Sequence, residues 1–150
     1  MTVKIKQLHK DAKKPTYATD GAGCFDLYAV VNDEIHGEAP LVIPPGQNAS
    51  VRTGLAFEIP PGFVLDIFSR SGHGFKSGIR LVNSVGQIDS DYRGEVLIGL
   101  HNDRRAKFSV RNGDRIAQGR IIPVPRVSFE FVDELSPTAR GTGGLGSTGK

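Results

Sequence analysis

The residues in this chain best suited to acid–base chemistry lie in the polar stretch 83–95. Asp89 and Asp91 occur there in a turn that Gly94 closes, next to Tyr92. Such a pair of carboxylates could clamp a metal, act as general base and supporting acid, or cap backbone N–H groups, the commonest role of aspartate in a turn. Tyr92 could form a flat wall for a sugar or simply cover the sheet. The stretch predicts a β-hairpin or bulged turn that presents these side chains.

A second candidate is the triplet Arg70-Ser71-Gly72, which follows directly on the apolar run 63–68. It places a guanidinium fork and a small hydroxyl at the end of a predicted strand, a usual position for binding residues. The alternative is a surface loop with an ordinary arginine. The triplet alone does not separate the two.

Two polar residues interrupt apolar strands, and each needs a hydrogen-bonding partner if it is buried. Asp26 lies between Phe25 and Leu27 and could reach a divalent cation directly or through water. Gln118 lies within the run 116–124 and is either a structural hydrogen-bonder or a ligand contact. The histidines show no metal-ligand spacing and are assigned no role: His9, His36, His73 and His101.

The C-terminal segment 140–150 is rich in glycine and has almost no apolar surface. It lacks the lysine and the strand-to-helix context of a Walker P-loop. Its glycine N–H groups, the Ser147 and Thr148 hydroxyls and the Arg140 guanidinium nevertheless suit a phosphate. The segment is either a disordered end or one that orders over a ligand or a neighbouring subunit.

Length and composition limit the classes of function. The chain has 150 residues, 38% of them hydrophobic, which is enough for one ordinary domain. The net charge of +3 suits an anionic partner without forming the clustered basic face of a nucleic-acid binder. Cys24 is the only cysteine, which excludes an internal disulfide and favours a reducing compartment. No apolar run approaches the length of a membrane span, so we expect a soluble, cytoplasmic protein.

The elements that must position these residues are short strands. With 19 glycines and 9 prolines, turns are frequent, and no window of about a dozen residues shows helical periodicity without one of the two inside it. We therefore predict an all-β domain, a distorted jelly roll or β-barrel of short strands, with at most a helical turn near 71–77. The predicted strands are 3–5, 25–31, 41–43, 64–69, 78–82, 95–101, 108–110, 116–124 and 127–132, with tight turns at 44–46, 60–62 and 112–114.

The candidate residues belong to five blocks whose order resembles the five motifs of the trimeric dUTPases. The blocks are AGCFDL at 22–27, RSG at 70–72, GQIDSDYRGE at 86–95, GDRIAQ at 113–118 and RGTGGLGSTG at 140–149. They cover nearly the whole chain.

The resemblance implies hydrolysis of dUTP to dUMP and pyrophosphate with Mg²⁺, which limits uracil incorporation into DNA and supplies dUMP for dTMP synthesis. It also implies a homotrimer whose active sites lie between subunits. The β-rich, dUTPase-like β-clip domain would span 1–139, and a flexible arm, 140–150, would close over a neighbouring subunit's site. We expect no stable binding of nucleic acid or of a membrane, and a regulatory protein partner is compatible with the sequence.

The resemblance also implies the roles of individual residues. Asp89 would orient and deprotonate the water that attacks the α-phosphorus, and Asp26 would help hold the magnesium through its water shell. Tyr92 would pack on the deoxyribose and leave no room for a 2′-hydroxyl. The other substrate contacts implied are Asn83, Gly86, Gln87 and Ile88 for uracil, Arg70, Ser71, Gly72 and Gln118 for the triphosphate, and Arg140, Leu145, Gly146, Ser147 and Thr148 from the arm.

The chain departs from the family pattern at three places. Leu145 occupies the position of the usual phenylalanine that stacks on uracil, which predicts weaker substrate capture. Cys24-Phe25 precede Asp26 where the commonest form has one residue, and Ser69 precedes Arg70 where proline is frequent.

Three alternative functions are considered beside dUTP hydrolysis. A dCTP deaminase shares the implied fold, but its site uses a glutamate near the hairpin, whereas the run 89–94 matches the hydrolase form. A nucleotide-switched regulatory binding protein would retain nucleotide affinity without catalysis. A basic nucleic-acid module would need a clustered positive patch.

Overall fold

The structure, a computed structural model, describes residues 1–32, 37 and 39–145. Within these residues the chain forms twelve strands and one short helical turn, which confirms the predicted all-β class. The strands are β1 (Lys4–Gln7), β2 (Thr16–Tyr17), β3 (Phe25–Tyr28), β4 (Leu41–Ile43), β5 (Asn48–Arg52), β6 (Leu55–Glu58), β7 (Phe63–Phe68), β8 (Ile79–Leu81), β9 (Val85–Ile88), β10 (Leu97–Asn102), β11 (Phe108–Val110) and β12 (Arg115–Pro123).

The strands pair antiparallel in small sheets. The largest sheet has the order β2-β3-β12-β7-β9, and a second has the order β5-β10-β8. β1 pairs with β6, and β4 pairs with β11. No helix among the described residues is long and apolar enough to cross a membrane.

One hydrophobic core lies between these sheets. Leu27 and Leu65 enter it from the five-stranded sheet, and Ile98 and Leu100 enter it from the three-stranded sheet, each at most 2% exposed. On β7 the alternation of strand side chains sends Leu65 into this core and leaves Asp66 on the opposite face.

β12 is the central strand of the five-stranded sheet and aligns its neighbours. Gln118 on β12 is paired in register with Asp26 on β3 and with Phe68 at the end of β7. At Gly119 an added Cβ would lie 2.7 Å from a ring carbon of Phe25, so only glycine lets β12 approach β3 this closely. The sheet therefore brings two of the predicted motifs to one corner.

Most of the predicted strands and turns are confirmed. The helical turn expected near 71–77 is present at His73–Ser77, and Gly62 and Gly113 have positive φ angles of 82° and 78° in the predicted tight turns. β2, β5, β6 and β9 were not predicted, because their sequences lack a continuous apolar run or contain glycine and glutamine.

The predicted strand 127–132 is wrong for the single chain, because this segment pairs with no other strand among the described residues. Its apolar residues alternate as in a strand, yet Phe129 and Phe131 are 94% and 107% exposed. The segment has the sequence of a strand but no partner strand among the residues that the structure describes.

Candidate active site

The first group of predicted site residues meets at one corner of the five-stranded sheet. Asp26 comes from β3, Arg115 and Gln118 come from β12, and Arg70 follows the end of β7. We call these four residues the arginine–aspartate cluster.

The side chains of this cluster converge on the carboxylate of Asp26. Arg115 Nη1 donates to Asp26 Oδ2 at 3.2 Å, and Gln118 Nε2 donates to Oδ1 at 3.2 Å. The Arg70 guanidinium lies on the same side, with Nε 3.6 Å from Oδ1. Gln118 therefore has the hydrogen-bonding partner that its place in an apolar strand requires.

The charge balance of the cluster favours an anion. Asp26 is 3% exposed, and a carboxylate this buried is stabilised by two guanidinium groups around it. The guanidinium groups of Arg70 and Arg115 outnumber the carboxylate of Asp26, so the cluster carries a net positive charge. The Arg70 Nε–H is the one buried side-chain polar atom without a hydrogen-bond partner in the part of the chain that the structure describes. Its nearest anionic oxygen is Asp26 Oδ1 at 3.6 Å, and the rest of the partly exposed guanidinium is available to a ligand.

His73, which the sequence left without a role, helps to hold Arg70. Arg70 Nη1 donates to the backbone oxygen of Arg115 at 2.9 Å, and His73 Nε2 lies 2.8 Å from the same oxygen. This contact makes Nε2 the protonated ring nitrogen of His73. In the sequence, His73 lies three positions after Arg70, and a helical turn places residues with this spacing side by side.

Ser71 and Gly72 begin the helical turn and are exposed. An added Cβ at Gly72 would meet nothing within 4 Å, so the surface above this turn is open. The hydroxyl of Ser71 and the backbone of Gly72 are thus accessible beside Arg70.

The second group of predicted site residues lies around β9. β9 is the edge strand of the five-stranded sheet, so only one of its two sides pairs with β7. Gln87 turns its side chain to the sheet face, where Nε2 donates to Asp66 Oδ1 at 3.1 Å. Gly86 is buried, and an added Cβ would lie 3.4 Å from Asn83 Nδ2. Ile88 is half-buried opposite Leu65.

The turn after β9 presents the predicted carboxylates. Tyr92 N–H donates to the Asp89 oxygen at 3.2 Å and closes the turn. Asp89 and Asp91 are exposed and line a concavity of about 470 Å³ together with Arg126. Tyr92 is 45% exposed, and its hydroxyl donates to the backbone oxygen of Glu95 at 3.1 Å.

The two groups lie at opposite corners of the sheet. β7 runs between them. Arg70 lies just beyond Phe68 at the end of β7, whereas Asp89 follows Ile88, which pairs with Leu65 near the start of β7. Val64, which lines the Asp89 concavity, is six residues from Arg70, on the order of 20 Å along an extended strand. Asp26 is farther still, since β12 and β3 lie beyond β7 from β9.

No group of three or more His, Cys, Asp or Glu residues that could hold a metal ion occurs in the described part of the chain. Both oxygens of Asp26 already accept N–H donors, so direct coordination of a cation would displace them. A carboxylate has about four acceptor positions, which leaves room for metal-bound water. The residues present therefore fit Mg²⁺ held by substrate phosphates and water, as is usual for this ion.

The described part of the arm ends at Leu145. Arg140 Nε donates to the backbone oxygen of Gly143 at 2.9 Å, and Leu145 is 109% exposed. The predicted contacts Gly146, Ser147 and Thr148 lie outside the described residues.

Comparisons with known proteins agree with the motif pattern. The dUTPase family model matches residues 10–149. The chain is 44% identical to a deoxyuridine 5′-triphosphate nucleotidohydrolase of Nautilia profundicola over 150 residues, 100% of both chains. A mutant dUTPase of Staphylococcus bacteriophage 80alpha, solved with dUpNHpp, has a TM-score of 0.83 at 25% identity and covers 99% of each chain. A mutant dUTPase of the S. aureus phage phi11, which coordinates a structural Mg(II) ion, has a TM-score of 0.79 at 21% identity over 91% of this chain and 100% of the phage chain.

Proposed function

Because the chain belongs to the dUTPase family and hydrolyses dUTP, we propose that each active site forms between copies of the chain. One copy supplies Asp89 and the edge of β9, and another supplies the arginine–aspartate cluster. The observation that carries this proposal is the placement of the two groups at opposite corners of one sheet. A single chain cannot bring both groups to the phosphates of the same nucleotide.

Asp89 is the catalytic base in this mechanism. Its carboxylate accepts a proton from a water molecule and aims the oxygen at the α-phosphorus. The new P–O bond forms as the bond to the bridging oxygen of the β-phosphate breaks, giving dUMP and pyrophosphate. Little covalent assistance is needed, because acceleration of phosphoryl transfer comes mainly from positioning and from cationic groups around the phosphates.

The arginine–aspartate cluster binds the triphosphate. The Arg70 side chain is partly exposed, so its guanidinium can donate to a phosphate oxygen while Nε faces Asp26. Ser71 adds a hydroxyl donor, Gly72 allows close approach of the backbone, and Gln118 offers its second amide N–H. The Asp26 carboxylate holds the guanidinium groups of Arg70 and Arg115 in place. Hydrogen bonds to charged groups are worth about 1.5–3 kcal/mol each.

We include Mg²⁺ as the cofactor, held by the triphosphate and, through water, by Asp26. When bound, the ion neutralises phosphate charge. Asp26 would accept hydrogen bonds from its water shell while Arg70 and Arg115 remain in place.

The edge of β9 reads the base. Because β7 pairs with one side of this strand only, backbone groups on the other side are available to the uracil edge. Gly86, Gln87 and Ile88 supply main-chain groups, and Asn83 supplies its amide. A cytosine would oppose an N–H donor with its own amino group and leave buried groups unpaired. Tyr92 packs on the deoxyribose and excludes a 2′-hydroxyl.

The arm, 140–150, completes the site from a neighbouring copy. Arg140, Leu145, Gly146, Ser147 and Thr148 close over the nucleotide, and ordering of this segment removes bulk water from the phosphates. The remainder of the chain, 1–139, is the β-rich domain, and the cytoplasmic location expected from the sequence stays a prediction.

A homotrimer is the assembly that we propose. The exposed segment 127–132 supports it, since Phe129 and Phe131 are almost fully accessible and the segment has no partner strand among the described residues. Association with a second copy would bury these side chains.

Mixing two inactive variants tests the shared site. Asp89→Asn lacks the base and Arg70→Ala lacks a phosphate ligand, so each alone should release almost no pyrophosphate. After the two are unfolded together and reassembled, about a quarter of the sites should contain both intact halves, because each site draws them independently. A mixture without activity, formed under conditions in which the native chain regains its own, would show that one chain carries the whole site.

A further inference from the structure

The chain segment that follows the catalytic turn is anchored to the loop between β5 and β6. Glu95 Oε1 accepts the Gly54 N–H at 2.8 Å, and its carboxylate accepts Arg52 Nε at 3.0 Å. Arg52 Nη2 lies 3.0 Å from Oε2, which completes a two-point guanidinium–carboxylate pair. The Glu95 side chain is 18% exposed. We call Arg52, Gly54 and Glu95 the Glu95 anchor.

The backbone next to the Glu95 anchor is fixed as well. Thr53 is fully buried, and its hydroxyl donates to the Val96 oxygen at 2.7 Å. Val96 N–H donates to the Leu55 oxygen at 2.9 Å. The position of the peptide at Glu95 is therefore set by side-chain and backbone contacts to the end of β5, the start of β6 and the loop between them.

Tyr92 rests on this fixed peptide. Its hydroxyl donates to the backbone oxygen of Glu95, and its ring lies across Gly94, where an added Cβ would be 2.6 Å from the ring carbon Cζ. The orientation of the Tyr92 ring thus depends on where the Glu95 carbonyl is held.

We propose that Glu95 and Arg52 are positioning residues that set the orientation of Tyr92 and thereby the discrimination of deoxyribose from ribose. This inference rests on the proposed function, in which Tyr92 forms the sugar wall. Neither residue contacts the nucleotide. Loss of the anchor removes the side-chain restraint on the Glu95 peptide and leaves only the Val96 hydrogen bonds to Leu55 and Thr53. The Glu95 carbonyl then shifts, which lets the Tyr92 ring move away from the sugar and admits a 2′-hydroxyl.

The test compares kcat/KM for dUTP and for UTP in Glu95→Gln, Arg52→Met and Arg52→Lys. We expect the dUTP-to-UTP ratio to fall by about tenfold in the first two, equivalent to about 1.4 kcal/mol. Arg52→Lys retains the charge but not the fork and should lie between them and the native chain. Glu58→Gln is the matched control, because Glu58 lies on β6 and its ion pair among the described residues is with exposed Lys4, at 2.9 Å. Its ratio should not change.

A double-mutant cycle separates positioning from a general loss of stability. Tyr92→Phe removes the hydroxyl that binds the backbone oxygen of Glu95. The dUTP-to-UTP ratio of kcat/KM should therefore fall in this variant as it does in Glu95→Gln. If both act through one contact, the double variant should lose little more than either single variant. Fully additive losses would overturn the inference.

The remaining outcomes distinguish this inference from the proposed function. If Tyr92→Ala lowers the ratio while Glu95→Gln and Arg52→Met leave it intact, the Glu95 anchor does not position Tyr92 and the sugar wall stands. If Tyr92→Ala also leaves the ratio unchanged, the sugar wall itself is wrong. Should Glu95→Gln fail to fold, Arg52→Lys with the same two substrates decides the question.

Discussion

Asp89 and Asp91 show that residue type alone does not distinguish a catalytic aspartate from its neighbour. Both are exposed aspartates on the same turn and line the same concavity. They differ in their place in the turn: the backbone oxygen of Asp89 accepts the N–H of Tyr92, which fixes Asp89 at the end of β9 beside the strand edge. Asp89 has the proton-accepting role in the proposed function because it occupies the position that the dUTPase motif implies for the base.

The first prediction follows from that assignment. Asp89→Asn should lower kcat by about 10²–10⁴-fold, the usual contribution of a general base, because an amide cannot accept the proton of the attacking water. Binding of dUTP should change little, since the phosphates are held elsewhere. Pyrophosphate release and equilibrium binding measure the two effects. The control is Asp91→Asn, and an equal loss in that variant would remove the distinction between the two carboxylates.

Leu145 gives the second prediction at this scale. It is fully exposed, and in the proposed site it would supply only aliphatic cover where an aromatic ring could stack on the base. Leu145→Phe should tighten substrate binding by a few-fold to about tenfold, the range expected for about 0.5–1.5 kcal/mol of aromatic pairing. KM for dUTP and the Kd of a non-hydrolysable analogue should fall together. Unchanged values for both would mean that this position does not cover the base.

At the scale of elements, β12 determines whether the arginine–aspartate cluster exists. Its residues Arg115 and Gln118 reach Asp26 because β12 pairs closely with β3, and Gly119 makes that closeness possible. The contacts of Gly119 therefore influence the geometry of the arginine–aspartate cluster.

Gly119→Ala tests this dependence. The new methyl group would lie 2.7 Å from a ring carbon of Phe25 and 2.9 Å from a methyl carbon of Leu65, so these packed side chains, or the strands that carry them, must shift. We expect a loss of about 1–3 kcal/mol in the free energy of unfolding, typical of overpacking, together with a raised KM for dUTP. Denaturant titration measures the first effect. Gly21→Ala, at a glycine whose added Cβ would meet nothing within 4 Å, should change stability by less than about 0.5 kcal/mol. Equal stability of the two variants would contradict the expectation.

The sequence predicted the site better than the elements that carry it. Asp26, Arg70 and Gln118 were identified from separate motifs, and the structure brings them together. The Asp26–Arg115 contact depends on strand pairing, and a single sequence does not encode which strands are neighbours. β9 was missed because Gly86 and Gln87 interrupt its apolar pattern. Segment 127–132 has the alternation of a strand but pairs with no strand among the described residues, because alternation alone does not specify a partner.

At the scale of the whole molecule, the exposed aromatic residues of segment 127–132 support the proposed assembly. Phe129 and Phe131 are 94% and 107% exposed in the single chain. Burying a phenylalanine side chain contributes about 1.5–3 kcal/mol, so the pair accounts for a large part of an association free energy.

Phe129→Ser with Phe131→Ser should therefore dissociate the proposed trimer and abolish dUTP hydrolysis while each chain stays folded. Sedimentation velocity measures the assembly, and far-UV circular dichroism measures the fold. Phe75→Ser is the matched control, because Phe75 is 83% exposed on the helical turn and has no proposed role in association. A double variant that remains trimeric would contradict the role of the segment.

The placement of the two groups at opposite corners of one sheet also decides how such an enzyme can be inhibited. A compound that keeps copies apart would then block hydrolysis without resembling a nucleotide, since in the proposed assembly an isolated subunit would hold only part of each catalytic centre. Selective agents of this kind would not compete with cellular nucleotide pools.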